Sequence, residues 1–230
     1  MLADLLRAFS MLGDPRVRTV LWLGIGLSLL TLAALVLGVE GLLRWVSDTG
    51  YGWLDAAVQV LGVLGTVVVA WFLFPGVVVA VSSVFLDRVV DATEERYFPH
   101  LPTASAVPVA TAVPAALRLL GITVLLNVLA LPLYFVPLIN LPIWLALNGY
   151  LVAREYVELV GLRRLPHAMV ATLRREHRIS FWLAGALVAF LLAVPVVNLI
   201  APVVGAAFMT QRFLRHGGNI TNATRELSQQ

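Results

Sequence analysis

The sequence predicts an all-α integral membrane protein: two long transmembrane helices, two re-entrant helical hairpins tipped with proline and asparagine, and short amphipathic helices. Three observations carry this. Only 13% of the 230 residues are charged against 60% hydrophobic, where a soluble domain carries about 25% charged residues. The deficit is gathered into four stretches without Asp, Glu, Lys, Arg or His, namely 19–39, 56–86, 119–153 and 179–211. The last two of these are interrupted near their middles by helix breakers. Hydrocarbon offers backbone polar groups no partner, so such stretches must be helical or shielded by protein.

Taken in order, residues 1–13 place Leu2, Leu5, Leu6, Phe9 and Leu12 on one helical face, the pattern of an interfacial helix lying along a bilayer. Asp14 is placed to cap the next helix, with Pro15 at its first position, where a missing N–H does no harm. That helix is expected over 14–46 as the first span, since crossing ~30 Å of hydrocarbon takes about 20 residues. It emerges near Glu40, Arg44 and Trp45, and Gly50, Tyr51, Gly52 and Trp53 form a turn with interfacial aromatics. Asp55 caps a second span over 55–86, kinked at Pro75 and Gly76. An acidic amphipathic extension follows to 98, through Asp87, Asp91, Glu94 and Glu95, and 99–114 is a connection rich in Pro, Ala and Thr.

The two remaining apolar runs have 35 and 33 residues. Each exceeds one crossing and falls short of two, which need about 40 residues plus a turn. Pro132, Pro137, Asn140 and Pro142 interrupt the first; Pro195, Asn198 and Pro202 interrupt the second. Proline removes an internal hydrogen bond and clashes with the preceding turn. The simplest solution is a half-penetrating hairpin that returns to its own side, over 114–157 and again over 179–214, with 215–230 as a cytoplasmic tail. The tips share a pattern: Pro137-Leu-Ile-Asn140-Leu recurs 58 residues later as Pro195-Val-Val-Asn198-Leu, and repeated, broken helices are a common build for transport proteins. This topology leaves only residues 40–55 outside, so 15 of the 16 Arg lie on one side, as the positive-inside rule asks. Both termini are expected in the cytoplasm, and 1–230 reads as a single membrane domain with membrane lipids as partners.

Several function classes are excluded. Cysteine and lysine are both absent, which removes disulfide and thiolate chemistry and the lysine of a nucleotide-binding P-loop. His100, His167, His177 and His216 lack metal-ligand spacing, so no metal site is expected. No hydrolase or metalloprotease motif occurs, and the apolar runs hold no ionisable group for intramembrane catalysis. The chain is therefore expected to be no enzyme and to need no cofactor. No separate basic domain exists to hold nucleic acid. The first residues carry Asp4, Arg7, Asp14, Arg16 and Arg18 with no cleavage pattern, so no signal peptide is expected.

Three sets of candidate residues remain. Arg16 and Arg18 sit in the first turn of the first span, where free N–H groups, the positive end of the helix dipole and planar guanidinium donors suit an oxyanion; the plainer reading is that both anchor on lipid phosphates. Asn140 and Asn198, at the hairpin tips, are either pore-lining donors or caps for backbone groups freed by proline. Asp91, Glu94 and Glu95 either line a vestibule or form a solvated helix face.

The order of these features resembles the CysZ sulfate permease family, within the wider etoposide-induced-protein domain family. The resembling stretches are Leu12 to Leu21, Phe135 to Val157 with its Pro-Leu-Ile-Asn-Leu-Pro, and Phe181 to Phe213 with its Pro-Val-Val-Asn-Leu, so nearly the whole chain takes part. The resemblance implies a homo-oligomeric bacterial inner-membrane permease that brings sulfate inward for cysteine synthesis. It also implies sulfate binding near the start of the first span, at Arg16, Val17, Arg18 and Thr19. Arg18 matches an arginine of the family pattern, whereas Arg16 stands where the family has Gly and Thr19 where a second Arg is usual. On that match, Arg18 is expected to matter more than Arg16.

Overall fold

The computed structural model describes residues 1–46, 52, 55, 56, 59–66, 68, 85–105, 107–136, 138–194 and 196–217. It is helical, and no strand occurs among the described residues. Helix α1 (Leu2–Ser10) leads through a short 3-10 turn at Met11–Gly13 into α2 (Pro15–Val46). The side chain of Asp14 accepts the backbone N–H of Arg16 at 2.9 Å and so caps α2, with Pro15 at its first position. Residues 15–42 of α2 number 28, and their most apolar 18 residues have a mean hydropathy of 2.4, so the helix is long and apolar enough to cross a membrane. Of the second predicted span, 59–66 are helical. Its kink at Pro75 and Gly76, and the aromatic turn at Tyr51 and Trp53, lie outside the described residues, as do Pro137, Pro195 and the tail from 218.

The acidic extension forms α3 (Leu86–Tyr97), whose buried positions include Leu86, Val89, Val90, Thr93 and Glu94. Helices α4 (Val109–Tyr134) and α5 (Asn140–Gly161) make the first hairpin. Helix begins at Val109, ahead of Pro114, and continues through Pro132 into its final turn. Pro142 falls in the first turn of α5, where proline is tolerated. Helix α6 (His167–Glu176) then turns through 91° into α7 (Arg178–Ala193), and α8 (Ala201–His216) closes the second hairpin.

The two hairpins differ in reach. The arms α7 and α8 have 16 residues each, about 24 Å at 1.5 Å per residue, which falls short of ~30 Å of hydrocarbon. Helix α4 has 26 residues, roughly 39 Å, the length of a full crossing. A second helix long and apolar enough to span therefore lies at Ala110–Tyr134, its most apolar 18 residues having a mean hydropathy of 2.0, and it falls largely within the segment 114–157 that sequence assigned to a half-penetrating hairpin.

Both tips reverse in the same way. Leu138 has φ 72° and Val196 has φ 67°, each directly after the first proline of its Pro-x-x-Asn-Leu motif. Side chains with a Cβ rarely hold such φ values, so the repeat extends from sequence to backbone conformation.

The packed core gathers near the Arg-rich helix ends. Nearly every residue of α8 is buried, from Ala201 through Leu214, because α1, α3, α5 and α7 all pack against it. Helix α7 crosses α5 so closely that a Cβ on Gly185 would stand 2.1 Å from the Gly149 carbonyl oxygen, a small-residue contact of the kind that joins helices in lipid. By contrast, α2 and α4 expose Leu30, Leu37, Leu117 and Leu129 at 62–67%, the surface expected where lipid tails replace water as solvent.

Candidate functional site

A cavity of about 1170 Å³ opens between the start of α2, helix α3, the segment after it, α4 and the end of α5. Hydropathy and charge meet at its wall. Helix α4 contributes Ala112, Ala115, Ala116 and Leu119, while α3 and the end of α5 contribute ionisable groups. Four arginines (Arg16, Arg88, Arg163, Arg164) face six carboxylates (Asp87, Asp91, Glu94, Glu95, Glu155, Glu158) around it.

Most of these charges are paired. Arg164 binds Glu94 through two hydrogen bonds, Nε to Oε1 at 3.0 Å and Nη2 to Oε2 at 2.6 Å, and both side chains are buried. Their fork-to-carboxylate geometry is the strong form of ion pair. Arg163 donates to the Asp91 carboxylate and to the Asp87 carbonyl oxygen. Glu158 accepts Nε of the buried Arg154 at 2.9 Å and Nη1 of Arg174 at 3.2 Å. These pairs tie the linker between the hairpins (Arg163, Arg164, Arg174) to α3 and α5. At the mouth, Arg16 Nη1 donates to Glu95 Oε2 at 2.5 Å, with both side chains largely exposed. Arg88 stacks over the Phe85 ring, 5.3 Å from its centroid.

The structure brings two of the sequence-derived sets into one place. Arg16 and Thr19 line the same cavity as Asp91, Glu94 and Glu95. Thr19 turns its hydroxyl back to the Pro15 carbonyl. Val17 is buried in the core. Arg18 is exposed and lies outside the cavity lining, so Arg16 is the arginine of the pair that faces it. Glu94 is buried against Arg164, Asp91 is half-exposed, and Glu95 is exposed. At the tips, Asn140 is exposed and accepts the backbone N–H of Leu141 at 2.6 Å. Asn198 is 9% exposed, and its Oδ1 is buried without a partner among the described residues.

One cluster escaped the sequence reading. Asp4, 1% exposed, pairs with Arg215 Nε at 3.1 Å and Arg212 Nη1 at 3.4 Å, fastening α1 to α8. Arg212 also donates to the Ser180 hydroxyl, which lies 2.7 Å from His216 Nε2. The His216 ring stacks on His177 at 4.2 Å, at the elbow between α6 and α7. Burial pushes the His216 imidazole below the ordinary histidine range; His177 and Arg212 add to this and Asp4 opposes it. The signal was present in sequence: Asp4, Ala8 and Met11 recur at helical spacing and are all buried.

Among proteins of known kind, a family model described as sulfate transporter CysZ/etoposide-induced protein 2.4 matches residues 4–202, which covers every helix up to the start of α8. No curated protein matches the sequence.

Proposed function

Because the chain belongs to the sulfate transporter CysZ/etoposide-induced protein 2.4 family, we propose that it is a membrane permease for sulfate. It works without catalysis or cofactor and sits in a bacterial inner membrane, where it supplies sulfate for cysteine synthesis. The single observation that carries the reading beyond family membership is the placement of Arg16. It stands in the first turn of the first long apolar helix, at the mouth of a cavity walled on one side by the first turns of α4, from Ala112 to Leu119. A guanidinium at a helix N-terminus favours an oxyanion, and the apolar wall of α4 leads from that mouth along a helix of spanning length. In this reading Arg16, Val17, Arg18 and Thr19 form the segment that meets sulfate, with Arg16 making the contact from the cavity side and Arg18 holding lipid phosphate or a second ion outside it. Asp91, Glu94 and Glu95 form the vestibule wall, and Asn140 and Asn198 stand at the hairpin tips. The Arg-rich ends face the cytoplasm, in keeping with the loop-charge rule. Hairpin arms of 16 residues cannot enclose a path across the bilayer alone, so several copies assemble.

A second reading, a non-transporting membrane scaffold or lipid-binding protein, draws on the ion pairs: three of the four cavity arginines already have carboxylate partners. Uptake of radiolabelled sulfate into proteoliposomes holding only this protein separates the two. A permease gives flux above protein-free vesicles, and a scaffold gives none.

A further inference from the structure

The anion donors at the start of α2 are occupied by the protein's own carboxylates. Asp14 Oδ1 holds the Arg16 backbone N–H at 2.9 Å, and Glu95 Oε2 holds Arg16 Nη1 at 2.5 Å. The two occupants are unlike. Asp14 lies two residues away and caps the helix, so its place is fixed by local backbone. Glu95 reaches across from α3, 79 residues distant in sequence, and the pair is exposed on both sides, at 63% for Arg16 and 64% for Glu95. Its neighbour Glu94 shows the alternative. That carboxylate is locked to Arg164 through two hydrogen bonds, with both side chains under 8% exposed. Thus α3 carries two successive glutamates, one sealed inward and one held loosely at the mouth.

We propose that Glu95 is an intramolecular competitor for the oxyanion site at Arg16, a carboxylate that holds the guanidinium until a free oxyanion displaces it and so sets the affinity of the site. The inference rests on the reading of Arg16 as a sulfate contact. A carboxylate and a sulfate use the same guanidinium donors, so both cannot be held there at once. An exposed ion pair is weak and easily exchanged, which is what a displaceable occupant requires. The surplus of carboxylates around the cavity works in the same direction: a dianion enters against repulsion, and releasing Glu95 adds one more unpaired negative charge beside it.

The test is calorimetric titration of sodium sulfate into the purified full chain, with sodium chloride at matched ionic strength as the blank. Glu95→Gln keeps the size of the side chain and removes its charge at an exposed position, so folding is undisturbed. It should tighten sulfate binding roughly two- to five-fold, the factor that an exposed pair of this kind supports, and the gain should shrink as salt rises. In the Arg16→Ala background the same change should give no gain. Unchanged affinity in Glu95→Gln, with weakened binding in Arg16→Ala, overturns the competitor and leaves the site standing. A gain that persists in the Arg16→Ala background also overturns it, because general charge repulsion then accounts for the effect. Sulfate heat absent from every protein overturns the site and the competitor together.

Discussion

Arg164 and Glu94 meet through two hydrogen bonds with both side chains withdrawn from water, and that makes each dependent on the other. Removing one partner leaves an unpaired buried charge, which costs about 3–5 kcal/mol. Arg164→Ala should therefore lower the midpoint of thermal unfolding in detergent markedly, and Arg16→Ala, at the exposed pair, should barely move it. Similar midpoints for the two would remove the distinction between the sealed and the loose pair. His216 gives a second test at this scale. An unfolded histidine takes up its proton near pH 6.5, whereas burial makes the folded imidazole resist it. Acid therefore favours the unfolded state: the contribution is intact above about pH 6.5 and is lost as pH falls through and below that value. Unfolding midpoints measured from about pH 8 down to about pH 5.5 should fall more steeply in the wild type than in His216→Gln. Parallel curves would show that the stacked pair with His177 carries no such linkage.

Among the helices, the crossing of α5 and α7 is the most sensitive contact. A methyl group on Gly185 would meet the Gly149 carbonyl oxygen and the backbone nitrogen of Ala153, and backbone cannot step aside as a side chain does. Gly185→Ala should separate the hairpins and destabilise the protein by roughly 1–3 kcal/mol or more, read as loss of the monodisperse peak on detergent gel filtration. An unaltered peak and midpoint would place the crossing further apart than the structure does. The tips respond in the opposite sense. Val196 at φ 67° and Leu138 at φ 72° hold conformations that glycine adopts freely, so Val196→Gly should stabilise by about 1 kcal/mol. A destabilised variant would mean that the Val196 side chain contributes more than its backbone costs. The breaks between α4 and α5 and between α7 and α8, the Asp14 cap and the acidic helix over 86–97 were legible because proline chemistry, capping and charge leave local marks. The length of α4 was not. Pro114 and Pro132 read as boundaries, yet both lie inside the helix, and the local pattern cannot tell a tolerated proline from a terminating one. The fastening of α1 was hidden for another reason: Leu2 and Leu6 stand exposed while Leu5, Phe9 and Leu12 pack against the core, so the apolar stripe straddles both surfaces, and the face that packs also carries Asp4.

For the molecule as a whole, the core and the ion pairs lie together at one end, while α2 and α4 carry exposed apolar surface away from it. Such a chain is a helical membrane protein whose polar half organises a cavity and whose apolar half meets lipid. The cavity itself was only partly legible. Arg16, Thr19, Asp91, Glu94 and Glu95 were all singled out in sequence, but that two distant segments share one wall follows from the packing of α3 against α2 and α8, which no local pattern encodes. The central claim is that this assembly passes sulfate by way of Arg16. The direct measurement is the initial rate of radiolabelled sulfate uptake into proteoliposomes, for wild type and Arg16→Ala at equal protein density. A charge-assisted hydrogen bond contributes about 1.5–3 kcal/mol, so the account predicts wild-type uptake well above protein-free vesicles and, at sulfate concentrations below saturation, a drop of roughly tenfold or more in Arg16→Ala. Wild-type uptake no faster than that of protein-free vesicles would contradict sulfate passage, and equal rates in the two proteins would contradict the role of Arg16.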